Sequence, residues 1–187
     1  MAQDEGNFPP KAPKFDTAHL AVYWAEHCDY SLLTPKPKAF HDQLQALSQD
    51  YNITLIAFSN GPRLYVKKVL ERLGLWDLFG EERLYAVDDV LPHCKPQAEA
   101  FQLILRNIGN PDPTTCLMVE DSMKNIRGAK ALGMKTLLIT GRAEEGRILP
   151  EDMPQASDPA VDASIATIEE MPTALSGLWN SPALLGP

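Results

Sequence analysis

Four short apolar runs, separated from one another by segments with helical periodicity, constrain the fold of this 187-residue chain more than any other feature. The first run, ITLIAFSN (Ile53–Asn60), does not alternate apolar and polar residues, which is typical of a strand buried on both faces of a parallel sheet. Three more strands are predicted in RLYAVDDV, TTCLMVED and MKTLLITG. Strands that alternate with helices predict an α/β fold: a Rossmann-like parallel sheet flanked by helices, with right-handed crossovers.

The helices are predicted from apolar residues that recur every three or four positions. An amphipathic stretch from Phe15 to about His27 predicts the first helix, and PKAFHDQLQALSQDY predicts the second. The remaining helices are predicted in RLYVKKVLERLGLWDLF, QAEAFQLILRNIG and DSMKNIRGAKALG, with a helix stop at Gly74. Residues 142–160 are interpreted as a surface loop, and ASIATIEEMPTALSGLW as a short strand and a last helix.

Composition limits the possible partners and the cellular compartment. Seventeen basic and twenty-five acidic side chains give a net charge of −8, which argues against binding to nucleic acid or to an anionic membrane. No apolar stretch reaches the roughly 18 residues that span a bilayer, and the first residues do not resemble a secretory signal. Cys28, Cys94 and Cys116 have no CxxC spacing and are expected to be free thiols. We therefore expect an intracellular protein, most simply a cytoplasmic one.

Polar residues follow the first strand, in Ser59, Asn60 and Gly61. A hydroxyl and backbone N–H groups at a helix N-terminus can bind an anion such as phosphate. The alternative is that Ser59 or Asn60 caps the following helix, and taken alone that alternative is the more frequent one. Lys95, which precedes Pro96, either neutralises a phosphate or is a solvated surface charge.

Two adjacent carboxylates, Glu120 and Asp121, end the third strand, and Ser122 follows them. Carboxylates at the end of an apolar strand are costly unless a cation or hydrogen-bond donors compensate them, and oxygen ligands of this kind suit Mg²⁺. The alternative is that Asp121 or Ser122 caps the helix that begins at Met123. Because ligands bind at the carboxyl ends of parallel strands, the three strand ends together predict a site for phosphate and metal.

These motifs resemble those of the haloacid dehalogenase superfamily of hydrolases. FSNG (Phe58–Gly61) is similar to its second motif, HCKPQAEAF (His93–Phe101) to its lysine motif, and VEDSMKNIRGAKALGMKTLLI (Val119–Ile139) to its acidic fourth motif. Within the superfamily the chain most resembles the pyrimidine 5′-nucleotidase-like branch, over about Asp29 to Trp179. On this resemblance, residues 1–28 would be an N-terminal arm with a cap remnant helix, residues 29–180 the core domain and residues 181–187 a tail.

The resemblance also implies roles for individual residues. Ser59 would hold a phosphate oxygen with help from the Asn60 backbone, and Lys95 would neutralise the phosphate. Asp121 would ligate Mg²⁺ directly, and Glu120 would do so directly or through water. The residues that would support this metal shell are Ser122 and Asn125.

The family's first motif, DxDx[TV], does not occur in this sequence. Its first aspartate attacks phosphorus and its second acts as acid and base. Asp16, in FDTAHL, is a weak candidate for the nucleophile, because Ala18 stands where the second aspartate belongs and the preceding prolines disfavour a buried strand. The first strand and the cap are therefore expected to be largely missing or replaced.

Two functions are considered, and the absence of the first motif favours the first of them. The first is a catalytically inactive pseudoenzyme, used as a structural or interaction module that binds a protein partner or a second copy through the arm and an exposed sheet edge. The second is a Mg²⁺-dependent phosphomonoesterase that acts on nucleoside monophosphates or other small phosphates, through Asp16 or through a segment supplied elsewhere. The sequence does not decide whether the chain is an enzyme.

Overall fold

The computed structural model describes residues 16–141 and 156–175. The helices in these two ranges are α1 (Thr17–His27), α2 (Lys38–Gln49), α3 (Arg63–Leu73), α4 (Trp76–Phe79), α5 (Val87–Val90), α6 (Ala98–Asn107), α7 (Met123–Ala131) and α8 (Met171–Ala174). The strands are β1 (Ala57–Phe58), β2 (Leu84–Tyr85), β3 (Leu117–Glu120), β4 (Lys135–Ile139) and β5 (Ala163–Ile165). Two 3₁₀ turns cover Pro113–Thr115 and Ile168–Glu170.

All described strand pairs are parallel, which confirms the predicted α/β fold. Among the described residues the strands form two sheets, β1–β2 and β3–β4–β5, where the sequence predicts one. Both sheets are flanked by helices, which cover them with apolar side chains. The order of elements alternates between strand and helix from β1 to β4, as parallel strands require.

The first predicted strand is much shorter than expected. Only Ala57 and Phe58 pair with a neighbour, whereas the prediction covered residues 53–60. The prediction that this segment is buried on both faces is also wrong, since Ile53 is 38% exposed and both β1 residues are half-buried. The reason is that a central strand needs neighbours on both edges, and among the described residues β1 pairs only with β2.

The second predicted strand is also shortened. Leu84 and Tyr85 are in a strand, but Val87–Val90 forms the short helix α5. The Asp89 carboxylate accepts a hydrogen bond from the Ala86 amide at 2.7 Å and thereby caps this turn. A local side-chain acceptor of this kind diverts the backbone from the strand ladder.

The predicted helices are found with small changes in length. In α2, Phe40, Leu44 and Leu47 are buried, as their spacing indicates. Gly74 ends α3 with φ +69°, a left-handed conformation that suits glycine, and α4 follows as a separate turn. Part of the predicted arm (residues 1–15 of 1–28), part of the predicted loop (residues 142–155 of 142–160) and the whole predicted tail (residues 181–187) lie outside the described residues.

The two sheets contribute to the same two apolar layers. Ala57 of β1 and Val119 of β3 both pack against the large core cluster that includes Leu137. Phe58, which follows Ala57 in β1, and Met118, which precedes Val119 in β3, both pack against a second core cluster on the other face of the sheets. Because neighbouring residues of a strand face opposite sides, the two sheets share one orientation. In the described ranges, β1 and β3 each have one edge without a strand partner, and we call the interval between the two sheets the inter-sheet gap.

Helix α1 packs on α3 through Ala25, which is fully buried. The Lys68 ammonium and the Tyr30 hydroxyl both donate hydrogen bonds to the Ala25 carbonyl oxygen and tie the end of α1 to the core. Large apolar side chains on the rest of α1 stay exposed: Leu20, Val22, Tyr23 and Trp24. In the described ranges, no helix has both the length and the apolar character required to cross a membrane.

Candidate functional site

A cleft of about 470 Å³ opens at the carboxyl ends of β1 and β3. Its walls are formed by Phe58, Ser59, Asn60, Gly61, Lys95, Val119, Glu120, Asp121, Ser122, Asn125 and Ile139. This set contains every residue predicted to bind phosphate or metal or to support the metal shell. Parallel strands bring these side chains together because their carboxyl ends lie at one edge of each sheet.

Lys95 lies at the base of the cleft and is only 6% exposed. Its ammonium donates hydrogen bonds to Glu120 Oε2 at 2.6 Å and to the Phe58 carbonyl oxygen at 2.8 Å. The Phe58 ring centroid is 4.8 Å from the same nitrogen, close enough for a cation–π contact. The alternative that Lys95 is a solvated surface charge is therefore wrong. A lysine ammonium has three donors, so one N–H remains for a ligand in the cleft.

The Glu120 carboxylate is fully engaged. One oxygen accepts the Lys95 hydrogen bond, and the other accepts from the backbone amides of Asp121 and Ser122 at 3.2 and 3.4 Å. Burial alone would raise the pKa of Glu120, but the Lys95 charge and hydrogen bonding with the side chains of Asp121, Lys95 and Asn125 outweigh it and hold the pKa below its usual value. Ser122 stands at the N-cap of α7 and makes no side-chain cap bond, so the alternative that its hydroxyl caps this helix is wrong.

Asp121 is exposed to the cleft beside this pair. Interaction with the Glu120 carboxylate, together with partial burial, raises the pKa of Asp121. Two adjacent carboxylates attract a divalent cation, and Mg²⁺ commonly takes one or two protein carboxylates and keeps several waters. Asp121 fits as a direct ligand, and Glu120, whose oxygens are occupied, fits as a partner through water. No cluster of three or more acidic, histidine or cysteine side chains suited to a metal occurs in residues 16–141 and 156–175.

Ser59 and Asn60 do not cap α3, so that alternative is wrong. The N-cap residue is Pro62, and the Arg63 amide donates instead to Asp88 Oδ2 at 2.6 Å. Ser59 Oγ accepts a hydrogen bond from the Gly61 amide at 3.0 Å, which keeps the hydroxyl at the turn with its own proton available to a ligand.

The Asn60 side chain has a role that sequence reasoning missed. Its amide nitrogen donates to the Lys95 carbonyl oxygen at 2.8 Å, and its oxygen accepts from the Lys95 amide at 3.0 Å. On the other side, Gly128 of α7 lies against the same turn, where a Cβ would come within 2.7 Å of the Pro96 carbonyl oxygen. These contacts fix the backbone that carries Lys95. No sequence pattern reveals them, because they join segments more than 30 residues apart.

Asp16, the weak nucleophile candidate, lies at the N-cap of α1. Its carboxylate accepts hydrogen bonds from the Ala18 and His19 amides at 3.0 and 3.2 Å, and it does not line the cleft. In the part of the chain that the structure describes, Glu120 and Asp121 are the carboxylates that line the cleft. The described residues thus provide groups for phosphate and cation, and both cleft carboxylates already have roles in that arrangement.

Comparison with known proteins shows the family. The family model described as haloacid dehalogenase-like hydrolase matches residues 2–133. Similar curated proteins include phosphoglycolate phosphatase 1 of Pseudomonas aeruginosa, 27% identical over 73% of this chain and 48% of its own length. Another is ribulose-1,5-bisphosphate 5-phosphatase of Halopiger xanaduensis, 27% identical over 80% of this chain and 59% of its own length. The chain therefore spans about half to three fifths of the length of these relatives.

Solved structures share the fold. L-2-haloacid dehalogenase from Xanthobacter autotrophicus superposes with a TM-score of 0.60 at 22% identity, over 87% of this chain and 68% of that protein. A hydrolase from Deinococcus radiodurans, solved with bound phosphate and sodium, gives a TM-score of 0.57 at 20% identity, over 93% of this chain and 79% of that protein. Identities this low support the fold alone.

Proposed function

The chain belongs to the haloacid dehalogenase-like hydrolase family, and we propose that its cleft binds small phosphate monoesters with Mg²⁺ for hydrolysis. The observation that carries this proposal is the convergence of Ser59, Lys95 and Asp121 in one cleft. A hydroxyl, an ammonium and a carboxylate provide the donors that bind phosphate oxygens and the ligand that binds a cation. The phosphatase names of the two curated relatives support the same class of substrate.

In this proposal each residue binds or positions one part of the substrate. Ser59 Oγ–H and the free N–H of Lys95 donate to phosphate oxygens, and Glu120 keeps the Lys95 ammonium in place. Asp121 would hold Mg²⁺, which when bound neutralises negative charge on the phosphate oxygens. Asn60 positions the Lys95 backbone through its two hydrogen bonds. The net reaction adds water across the P–O ester bond, so that the alcohol leaves with a proton and inorganic phosphate is released.

The proposed substrates are small phosphate monoesters as a class. The curated relatives described above are named for phosphoglycolate and ribulose-1,5-bisphosphate rather than for pyrimidine nucleotides. The narrower resemblance to pyrimidine 5′-nucleotidases therefore contributes nucleoside monophosphates as one group among several to be assayed.

The experiment is an assay of phosphate release from 2-phosphoglycolate, ribulose-1,5-bisphosphate, p-nitrophenyl phosphate and nucleoside monophosphates, with Mg²⁺ or with EDTA. We expect Mg²⁺-dependent release that Asp121→Asn and Ser59→Ala each reduce at least tenfold, since the first removes a charge that would hold the cation and the second removes a hydrogen-bond donor to the phosphate. Asp16→Asn is the matched control, because this carboxylate caps α1 away from the cleft. Release that is unaffected by EDTA and by both cleft variants would refute the proposal.

A second candidate function is favoured by the inter-sheet gap. The facing edges of β1 and β3 have no strand partner among the described residues, and unpaired edges of this kind template pairing with another chain. In this alternative the chain is a catalytically silent module that binds a partner or a second copy along these edges. Phosphate binding without any turnover, combined with concentration-dependent self-association in light scattering, would favour this alternative over hydrolysis.

A further inference from the structure

A cluster of aromatic side chains lies next to the Ser59–Gly61 turn, and none of the roles proposed above uses it. The Tyr65 ring contacts Gly61, since its Cδ1 is 3.2 Å from the position that a Cβ on Gly61 would take. The Trp24 ring stacks on Tyr65 with centroids 5.3 Å apart and an interplanar angle of 27°. Tyr30 lies 6.0 Å from the same Tyr65 ring. The cluster therefore extends from the cleft wall at Gly61 outward to α1.

Trp24 differs from an ordinary core aromatic residue because much of its side chain is exposed to solvent. Trp24 is 49% exposed, although it lies on a helix whose Ala25 is completely buried against α3. Helix α1 is held in place by two hydrogen bonds to the Ala25 carbonyl oxygen, from Tyr30 and Lys68. The indole is thus presented by a fixed element, on the side of α3 that carries Tyr65.

We propose that Trp24 and Tyr65 form a stacking surface for a flat aromatic ring attached to a phosphate that binds at Ser59 and Lys95. The inference rests on the proposed function, because the phosphate group determines where the ring lies. Tyr65 and Trp24 lie just outside the lining of the cleft, next to Gly61, so the organic part of an ester bound at the Ser59–Gly61 turn would reach either the aromatic cluster or solvent. Stacking between a planar ring and an exposed aromatic side chain is favourable whatever polar groups the ring carries.

A stacking surface of this kind predicts an order of affinity among phosphate esters. Phenyl phosphate should bind about tenfold more tightly than methyl phosphate, at the lower end of what one aromatic stack provides. Cyclohexyl phosphate, which has a similar apolar area but no flat π-face, should lie between the two. The same ordering should hold with Mg²⁺ present, because the residues that would hold the cation, Glu120 and Asp121, are not those proposed to contact the ring.

The experiment measures the affinity of methyl, cyclohexyl and phenyl phosphate by ligand-observed NMR titration in EDTA, where the proposed hydrolysis does not proceed, for the whole chain and three variants. Trp24→Ala should lower phenyl phosphate affinity at least fivefold and leave methyl phosphate affinity unchanged, whereas Trp24→Phe should retain most of the preference. Tyr23→Ala is the matched control, since this neighbouring side chain is 55% exposed but stacks on His27 instead of Tyr65.

The outcomes separate this inference from the function it rests on. If methyl and phenyl phosphate bind equally to the unaltered chain, the stacking surface is refuted while the phosphate site stands. If none of the three esters binds, both are refuted. If Trp24→Ala instead changes self-association in light scattering and leaves the ring preference intact, the exposed indole belongs to a contact between copies, which also overturns the inference.

Discussion

Replacement of Lys95 by methionine tests whether the buried ion pair at the base of the cleft is formed as described. The side chains of Lys95 and Glu120 are 5% and 11% exposed, and their charged atoms are 2.6 Å apart. Methionine preserves most of the apolar volume of the lysine stem but leaves the Glu120 carboxylate buried without its cation. Breaking one side of a buried pair costs about 3–5 kcal/mol. For a chain of this size that corresponds to a fall in Tm of roughly 6–20 °C.

The assay is urea denaturation at pH 7 of the Lys95→Met, Glu120→Gln and double variants, together with Lys135→Met as the matched control. Lys135 lies exposed on β4, so its replacement should change the free energy of unfolding by less than about 0.5 kcal/mol. The double variant should be destabilised by about 2 kcal/mol less than the sum of the two single changes, because it leaves no buried charge unpaired. Additive single effects, or a Lys95→Met change below about 1 kcal/mol, would refute the buried pair.

The remaining predictions concern the elements that frame the cleft. Gly128→Ala should destabilise the fold by about 1–3 kcal/mol, although alanine favours helices, because its Cβ would lie 2.7 Å from the Pro96 carbonyl oxygen; an unchanged urea midpoint would contradict that contact. Asp162→Ala should cost about 1–3 kcal/mol, because it removes the acceptor for the amide of the fully buried Thr136, and thermal unfolding measures this directly. Burial raises the pKa of Asp162, but hydrogen bonds from Lys130 and Thr136 outweigh it, so the net pKa lies below the usual value. A carboxylate whose pKa is lowered by folding stabilises the fold at pH values above its unfolded pKa of about 3.9. The difference in free energy of unfolding between wild type and Asp162→Asn should therefore be full at pH 6 and shrink as the pH falls below about 4. A difference that grows in acid would contradict this assignment.

The sequence predicts the location of the site better than its internal contacts. Ser59, Lys95 and Asp121 could be assigned to one site because each follows a strand or precedes a helix, and parallel strands end at a common edge. The Lys95–Glu120 pair and the Asn60 hydrogen bonds to the Lys95 backbone could not be predicted. These contacts depend on how segments distant in sequence pack together, and neither residue type nor spacing indicates that packing.

The extent of β1 shows a different limit of sequence reasoning. The apolar run ITLIAFSN correctly indicates a strand in a parallel arrangement, but only Ala57 and Phe58 pair. The length of a strand depends on whether neighbours flank it on both edges, which is a property of the whole sheet and not of the local pattern. The same reasoning explains why one predicted sheet is described as two, with the inter-sheet gap between β1 and β3.

The most direct test of the phosphate site is calorimetric titration of the chain with inorganic phosphate, in Mg²⁺ buffer and in EDTA, alongside the Ser59→Ala variant. We predict a single binding event at the cleft that weakens about tenfold or more in the variant and also weakens when EDTA removes the cation. Phosphate binding with the same affinity in all three conditions, or no binding in any of them, would contradict the assignment of this cleft.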